Sequence, residues 1–277
     1  MPISRPGLGA RSAAVLFFLG SVAQAHWPAP VPTSAGDLTP PQIRILQSNP
    51  ATAHGFIFVG PKYTTATSGV QGPEIIDDKG RVVWFHALPG ADQAADFHVQ
   101  RYRGEPVLTW SQGQGLGGVP TTPTIDYIVD QSYRVIAEVR AGNGLNADLH
   151  EFKLTSENTA LITIYNPVSY DLSPFGGPKN GTVVDGVVQE IDVATGRVLL
   201  EWHSLDHVAI GESHVPVPTD TTDDPYDYFH VNAVSVDTDG NLLVSARHTW
   251  AIYKIGRRNG AVLFRLGGTK SDFKLGE

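Results

Sequence analysis

Apolar and polar residues alternate with a period of two along most of this chain, the pattern of strands that bury one face. The clearest stretch is Asp227 to Trp250, DYFHVNAVSVDTDGNLLVSARHTW. His230 to Val236 alternates, Asp237 to Asn241 is a cluster of turn formers, and Leu242 to Arg247 returns. Asp-Gly between two such runs is a strong hairpin signal. A hairpin reverses direction, so His230 near its start and Arg247 near its end are expected at one edge. An imidazole and a guanidinium there would make an anion site with a proton carrier. The plainer reading is a surface His and a surface Arg on a loop edge.

The same pattern recurs. Strand, Asp- or Gly-containing turn and Val-rich strand appear at Glu74 to His86, Tyr127 to Val139, Gln189 to His203 and Tyr253 to Gly268. The aligned residues Asp77, Asp130, Asp192 and Gly256 lie 53, 62 and 64 positions apart. Between these copies stands a second hairpin, at Asp96 to Gln112, Asp148 to Asn166 and Tyr228 to His248. Two hairpins per unit give four strands, which is the arithmetic of a β-propeller blade. The spacing predicts an all-β fold, a β-propeller of four-stranded blades with about four blade equivalents over residues 43–277 and almost no helix. Regular strands are expected from near Ile43. Pro167 to Asp185 and Leu205 to Asp227 read as long loops that would serve as lids or rims.

Composition narrows the setting. Hydrophobic residues make up 41% and charged residues 17% of 277, as in a soluble globular protein. The net charge of −8 carries no basic stripe, which argues against nucleic acid as a partner. Arg5 and Arg11, the apolar run Ala13 to Val22 and Ala23-Gln24-Ala25 have the form of a secretory signal peptide, residues 1–25, ahead of an extended leader, 26–42. The apolar run is too short to span a bilayer, so a secreted protein with no membrane partner is expected. Cysteine is absent, which removes thiol chemistry and disulfides. Asn180-Gly181-Thr182 is a glycosylation sequon.

In the three copies of the second hairpin a histidine takes the same slot: His98, His150 and His230. Blades are radial, so equivalent side chains should converge on one end of the axis. His150 and His230 are the stronger pair; His98 could instead pack beside Trp84 and Tyr102. Arg247 favours an oxyanion over a divalent metal, and Asn232, two residues beyond His230, would add an amide on the same strand face. No metal and no cofactor is expected. His203 and His207 have an i, i+4 spacing that would suit zinc on a helix, with His214 near, but Pro and Gly oppose a helix there. Gly113 to Gly118 reads as a turn. Asp223, Asp224 and Asp227 lack the spacing of a calcium loop. The aromatics Trp84, Trp110, Trp202, Tyr165 and Phe264 recur with the blades and read mostly as inter-blade core. Polar residues that merely line a water-filled channel are the competing reading of the whole cluster.

ADLHEFKLT (147–155), QEIDVATGRVLLEW (189–202), DYFHVNAV (227–234), NLLVSARHTWAIYKI (241–255) and FRLGG (264–268) resemble the arylsulfotransferase family, most closely its fungal and actinobacterial branch. The resemblance implies a six-bladed propeller enzyme that moves a sulfuryl group from an aryl sulfate to a phenol, without a nucleotide sulfate. It implies a ping-pong route through a covalently sulfated histidine. By motif, His150 and His230 fall on the assisting histidines, Arg247 on the arginine and Asn232 on a sulfate-contacting amide. The family's nucleophilic histidine belongs to a Gln-His motif downstream of the FRLGG-like strand, past Glu277. The chain is therefore expected to be C-terminally truncated, and inactive by itself. The alternative is a secreted, non-catalytic propeller that binds glycans or anionic ligands. Oligomeric state is not readable.

Overall fold

The structure is a computed structural model that describes residues 40–41, 43–49, 51, 53–62, 70–115, 118–220 and 224–274. The expected signal peptide and most of the leader lie outside the described residues, as does Asp223. Fifteen strands make four antiparallel sheets among the described residues. The first has three strands, β1 (Phe56–Val59), β2 (Glu74–Asp77) and β3 (Val82–Phe85). Three four-stranded sheets follow in chain order. They are β4 (Gln93–Tyr102) to β5 (Glu105–Gly113), β6 (Ile125–Val129) and β7 (Val135–Val139); β8 (Ala147–Leu154) to β9 (Thr159–Tyr170), β10 (Gly181–Asp192) and β11 (Val198–His203); and β12 (Val231–Val236) to β13 (Leu242–Ala246), β14 (Ala251–Ile255) and β15 (Val262–Gly267). Each is a meander whose strands pair in sequence order, so the chain is an all-β array of propeller blades. Among the described residues the helical content is three single 3₁₀ turns, at Ser173–Phe175, Ser204–Asp206 and Ile210–Glu212.

The repeated aspartates explain the turns. Asp77 Oδ1 accepts from the backbone N–H groups of Lys79 and Arg81 at 2.9 Å, and Asp130 Oδ1 accepts from Ser132 and Arg134 at 2.8 and 3.0 Å. A short carboxylate thus substitutes for the ladder where the chain reverses. Three apolar clusters lie between neighbouring sheets, centred on Trp110 and Phe97, on Phe152 and Ile162, and on Trp202 and Phe229. Polar side chains join the inner strands as well. Gln100 on β4 donates to the carbonyl of Phe152 at 2.7 Å and accepts from the N–H of Leu154 at 2.8 Å. Asp96 accepts from the N–H of Phe152 at 2.9 Å.

Two expectations are corrected. Among the described residues no strand forms near Ile43: residues 43–49 have no strand partner, Leu46 is 81% exposed, and the first strand starts at Phe56. An apolar run alone cannot make a strand without a neighbour to take its backbone groups. Pro167 to Asp185 is not one long loop either. Here β9 and β10 continue as a protruding two-stranded ribbon, with Tyr170 opposite Gly181, and only residues 171–180 turn. Pro167 is tolerated at this extension beyond the sheet, where Val168 and Val183 still pair across the ribbon. The segment Leu205 to Asp227 is irregular, and Tyr226 docks it on the ribbon through a parallel bridge to Val183. The N–H of Tyr226 donates to the carbonyl of Thr182 at 2.8 Å, and the N–H of Val184 donates to the carbonyl of Tyr226 at 2.9 Å.

Candidate functional site

The hairpin of β12 and β13 has Val231 opposite Ala246, so His230 and Arg247 flank its open end. The backbone N–H of Arg247 donates to the carbonyl of His230 at 2.9 Å. His230 has φ 55°, a left-handed conformation that costs about 1–3 kcal/mol at a non-glycine residue and persists where its surroundings impose it. Asp227 imposes it. Its Oδ1 accepts from the His230 backbone N–H at 2.9 Å, and its Oδ2 from His230 Nδ1 at 2.5 Å. The carbonyl of Asp227 accepts from His248 Nδ1, also at 2.5 Å.

From the neighbouring blade comes His150, its Nδ1 bonded to the buried carboxylate of Asp148, whose other oxygen accepts from the hydroxyl of Thr163. The pairing of β8 with β9 shifts between Ala147 and Phe152, and this irregular stretch carries Asp148 and His150. The His150 and His230 rings meet edge to face with centroids 5.2 Å apart. Tyr165 stacks on His150 at 5.4 Å and stands edge-on to His230, also at 5.4 Å, while His248 lies 4.5 Å from His230. Because Nδ1 of all three imidazoles is spent on a carboxylate or carbonyl, Nε2 is left to take or give a proton at each ring.

Electrostatics follow from this packing. Burial opposes a charged His150, but the hydrogen bond and charge of Asp148, with Asp227 behind, outweigh it and raise the pKa; Lys62 pushes the other way. Burial pushes the Tyr165 phenol well up, Asp227 and Asp148 add to this, and Arg247 opposes it. Tyr165 therefore stays neutral. Its hydroxyl is buried without a hydrogen-bond partner among the described residues.

Arg247 is exposed at the edge of this cluster, close enough for its charge to act on Tyr165. Asn232 is the bulged residue where the pairing of β12 with β13 shifts, so period-two alternation does not place it on the face of His230. It is half-buried, and its Oδ1 has no partner among the described residues. His98 does not join the pair: its Nδ1 bonds the carbonyl of Asp96 at 2.8 Å. Nor does it stack on Trp84; the imidazole in that aromatic cluster is His86. His203, His207 and His214 also diverge. His203 bonds Asp185 at 2.6 Å, His207 stacks on Trp202 and His214 on Trp250.

Sequence reasoning missed Asp148, Asp227, Tyr165, His248 and Lys62. The Asp-x-His and Asp-x-x-His spacings were the available signal for the first two. Asp227, His230 and His248 offer ligand atoms within 4.8 Å of one another, the one such group among the described residues. The donors would suit zinc by type, but Asp227 already holds both imidazoles through Nδ1, and Arg247 adds positive charge at the same edge. The arrangement suits an anion better than a cation: neutral or protonated imidazoles, one guanidinium and a nearby ammonium, with proton carriers beside them.

The family model described as Arylsulfotransferase (ASST) matches residues 98–277. No curated protein matches the chain. Among solved structures, a protein of unknown function from Bacteroides caccae is similar at 12% identity with a TM-score of 0.41. The match covers 72% of this chain and 56% of that one, so the chain spans little more than half its length.

Proposed function

The chain belongs to the arylsulfotransferase family, and on that footing we propose that it serves sulfuryl transfer from an aryl sulfate to a phenol. The observation that carries the reading is the His150–His230 ring pair, each imidazole backed by its own aspartate and set beside Arg247. In the first half-reaction the S–O bond to the aryl group breaks as an S–N bond forms to a histidine. Neither His150 nor His230 is that histidine. The departing phenolate takes a proton from Nε2 of one of them. In the second half, the same nitrogen removes the proton of the acceptor phenol as its oxygen forms the new S–O bond and the S–N bond breaks. Arg247, with Asn232, would hold the sulfuryl oxygens, whose charge must be matched throughout.

The aspartates act at a distance. By accepting from Nδ1 they fix the tautomer and orientation of each ring, as a triad carboxylate does, and at His150 the carboxylate of Asp148 also favours the charged form. Secretion and a place in the fungal and actinobacterial branch complete the reading; the Arg5–Ala25 pattern supports the first.

The test is to incubate the folded full-length protein with 4-nitrophenyl sulfate and phenol across a range of pH. Release of nitrophenolate that depends on phenol, and its loss in His230→Ala and Arg247→Ala, is expected. Folded protein that releases none would overturn the reading.

A further inference from the structure

Three residues beyond Arg247, whose backbone N–H bonds the carbonyl of His230, stands Trp250, 68% exposed, and its setting is not that of a stray surface residue. It closes the turn that begins at Arg247, with its N–H donating to the Arg247 carbonyl at 3.3 Å. Its φ is 53°, a conformation that an aromatic residue rarely holds. Its indole lies flat on the imidazole of His214, centroids 3.8 Å apart and planes 8° from parallel. His214 is fastened to the same turn, its N–H donating to the carbonyl of His248 at 2.8 Å.

The turn is braced from behind. At the end of β15, Gly267 and Gly268 both have positive φ; a Cβ on Gly267 would stand 2.6 Å from the Trp250 carbonyl oxygen, and one on Gly268 2.5 Å from that of Thr249. Two glycines thus let the next strand press against the turn, and Thr249 between them is buried. A large apolar ring is held in water, in a costly backbone conformation, by contacts on three sides. Such strain collects where a rigid surface is used.

We propose that the Trp250–His214 ring pair is a binding platform for the flat aromatic ring of the substrate. Resting on the sulfuryl-transfer reading above, this adds to it the feature that selects an aryl group. The turn presents Arg247 at one end and Trp250 at the other, so a ligand with an anionic head and a planar tail meets matching chemistry at both. A sulfate ester of an aliphatic alcohol would engage the head group alone.

Binding by the 277-residue chain of 2-naphthyl sulfate, 2-naphthol and inorganic sulfate, for wild type, Trp250→Ala, Trp250→Phe and Arg247→Ala, decides the matter. Trp250→Ala should weaken both naphthyl ligands roughly three- to tenfold, with Trp250→Phe between, and leave inorganic sulfate unchanged. Arg247→Ala should weaken both sulfates and spare naphthol. The platform is overturned if Trp250→Ala binds the naphthyl ligands like wild type, or loses inorganic sulfate equally. If wild type binds naphthol through Trp250 but neither sulfate, the platform stands and the sulfuryl site falls. If wild type binds none of the three, both fall.

Discussion

Gly186 on β10 lies against the ring of Phe229: a Cβ at Gly186 would stand 2.6 Å from Phe229 Cδ1. Phe229 is fully buried and directly precedes His230 in its left-handed conformation, so the glycine fixes where the imidazole begins. Gly186→Ala should destabilise by about 1–3 kcal/mol through overpacking, read as a lower urea midpoint at unchanged m-value. It should also weaken sulfate binding. An unchanged midpoint would show that Phe229 yields without cost and that the contact sets nothing.

Asp148 holds His150 in its charged form against burial. The folded pKa of His150 is raised above the ordinary value of about 6.5. The linked stability is therefore complete below that value and is lost as pH rises through the raised one. Proton resonances of His150 should titrate above 6.5 in wild type and lower in Asp148→Asn. The stability gap between the two should be widest near pH 6 and narrow in alkali. A variant that titrates like wild type would remove Asp148 from the account.

Arg257 joins two blades. Its guanidinium bonds both carboxylate oxygens of the buried Glu190, which also accepts from the hydroxyl of Thr159 at 2.6 Å. Burial alone would raise the pKa of Glu190, but these partners win and lower it. The stability so gained is present above about pH 4.3, the unfolded value, and is lost as pH falls through the depressed one. Arg257→Met leaves a buried carboxylate unpaired and should cost about 3–5 kcal/mol at pH 7. Adding Glu190→Gln should restore much of that, measured by chemical denaturation.

Zinc is the competitor for the Asp227, His230 and His248 trio. Chelation with EDTA should leave sulfate binding and any turnover intact, and added zinc should inhibit by occupying the imidazoles. Activity abolished by EDTA and restored by zinc would replace the anion reading with a metal one.

The four-strand rhythm was legible because its turns are local: Asp77, Asp130 and Asp192 each cap a reversal within a few residues of themselves. The shared edge of His230 and Arg247 followed from hairpin geometry alone. What was not legible depends on contacts between distant segments or on broken alternation. Tyr165 read as core because nothing local sets it between two imidazoles from different blades. Asn232 was assigned a face by counting in twos, which a bulge invalidates. The β9–β10 ribbon was hidden by its glycines and prolines, which resemble loop punctuation but pair across the hairpin all the same.

The docking of Tyr226 on the ribbon reaches further than local stiffness. Asp227 is the next residue, and it holds two imidazoles of the β12–β15 blade, yet its anchorage belongs to the sheet before it. A blade lifted out and grafted elsewhere would keep His230 and His248 but forfeit the residue that orients both rings. Modularity, the usual virtue of a repeat architecture, stops at this seam.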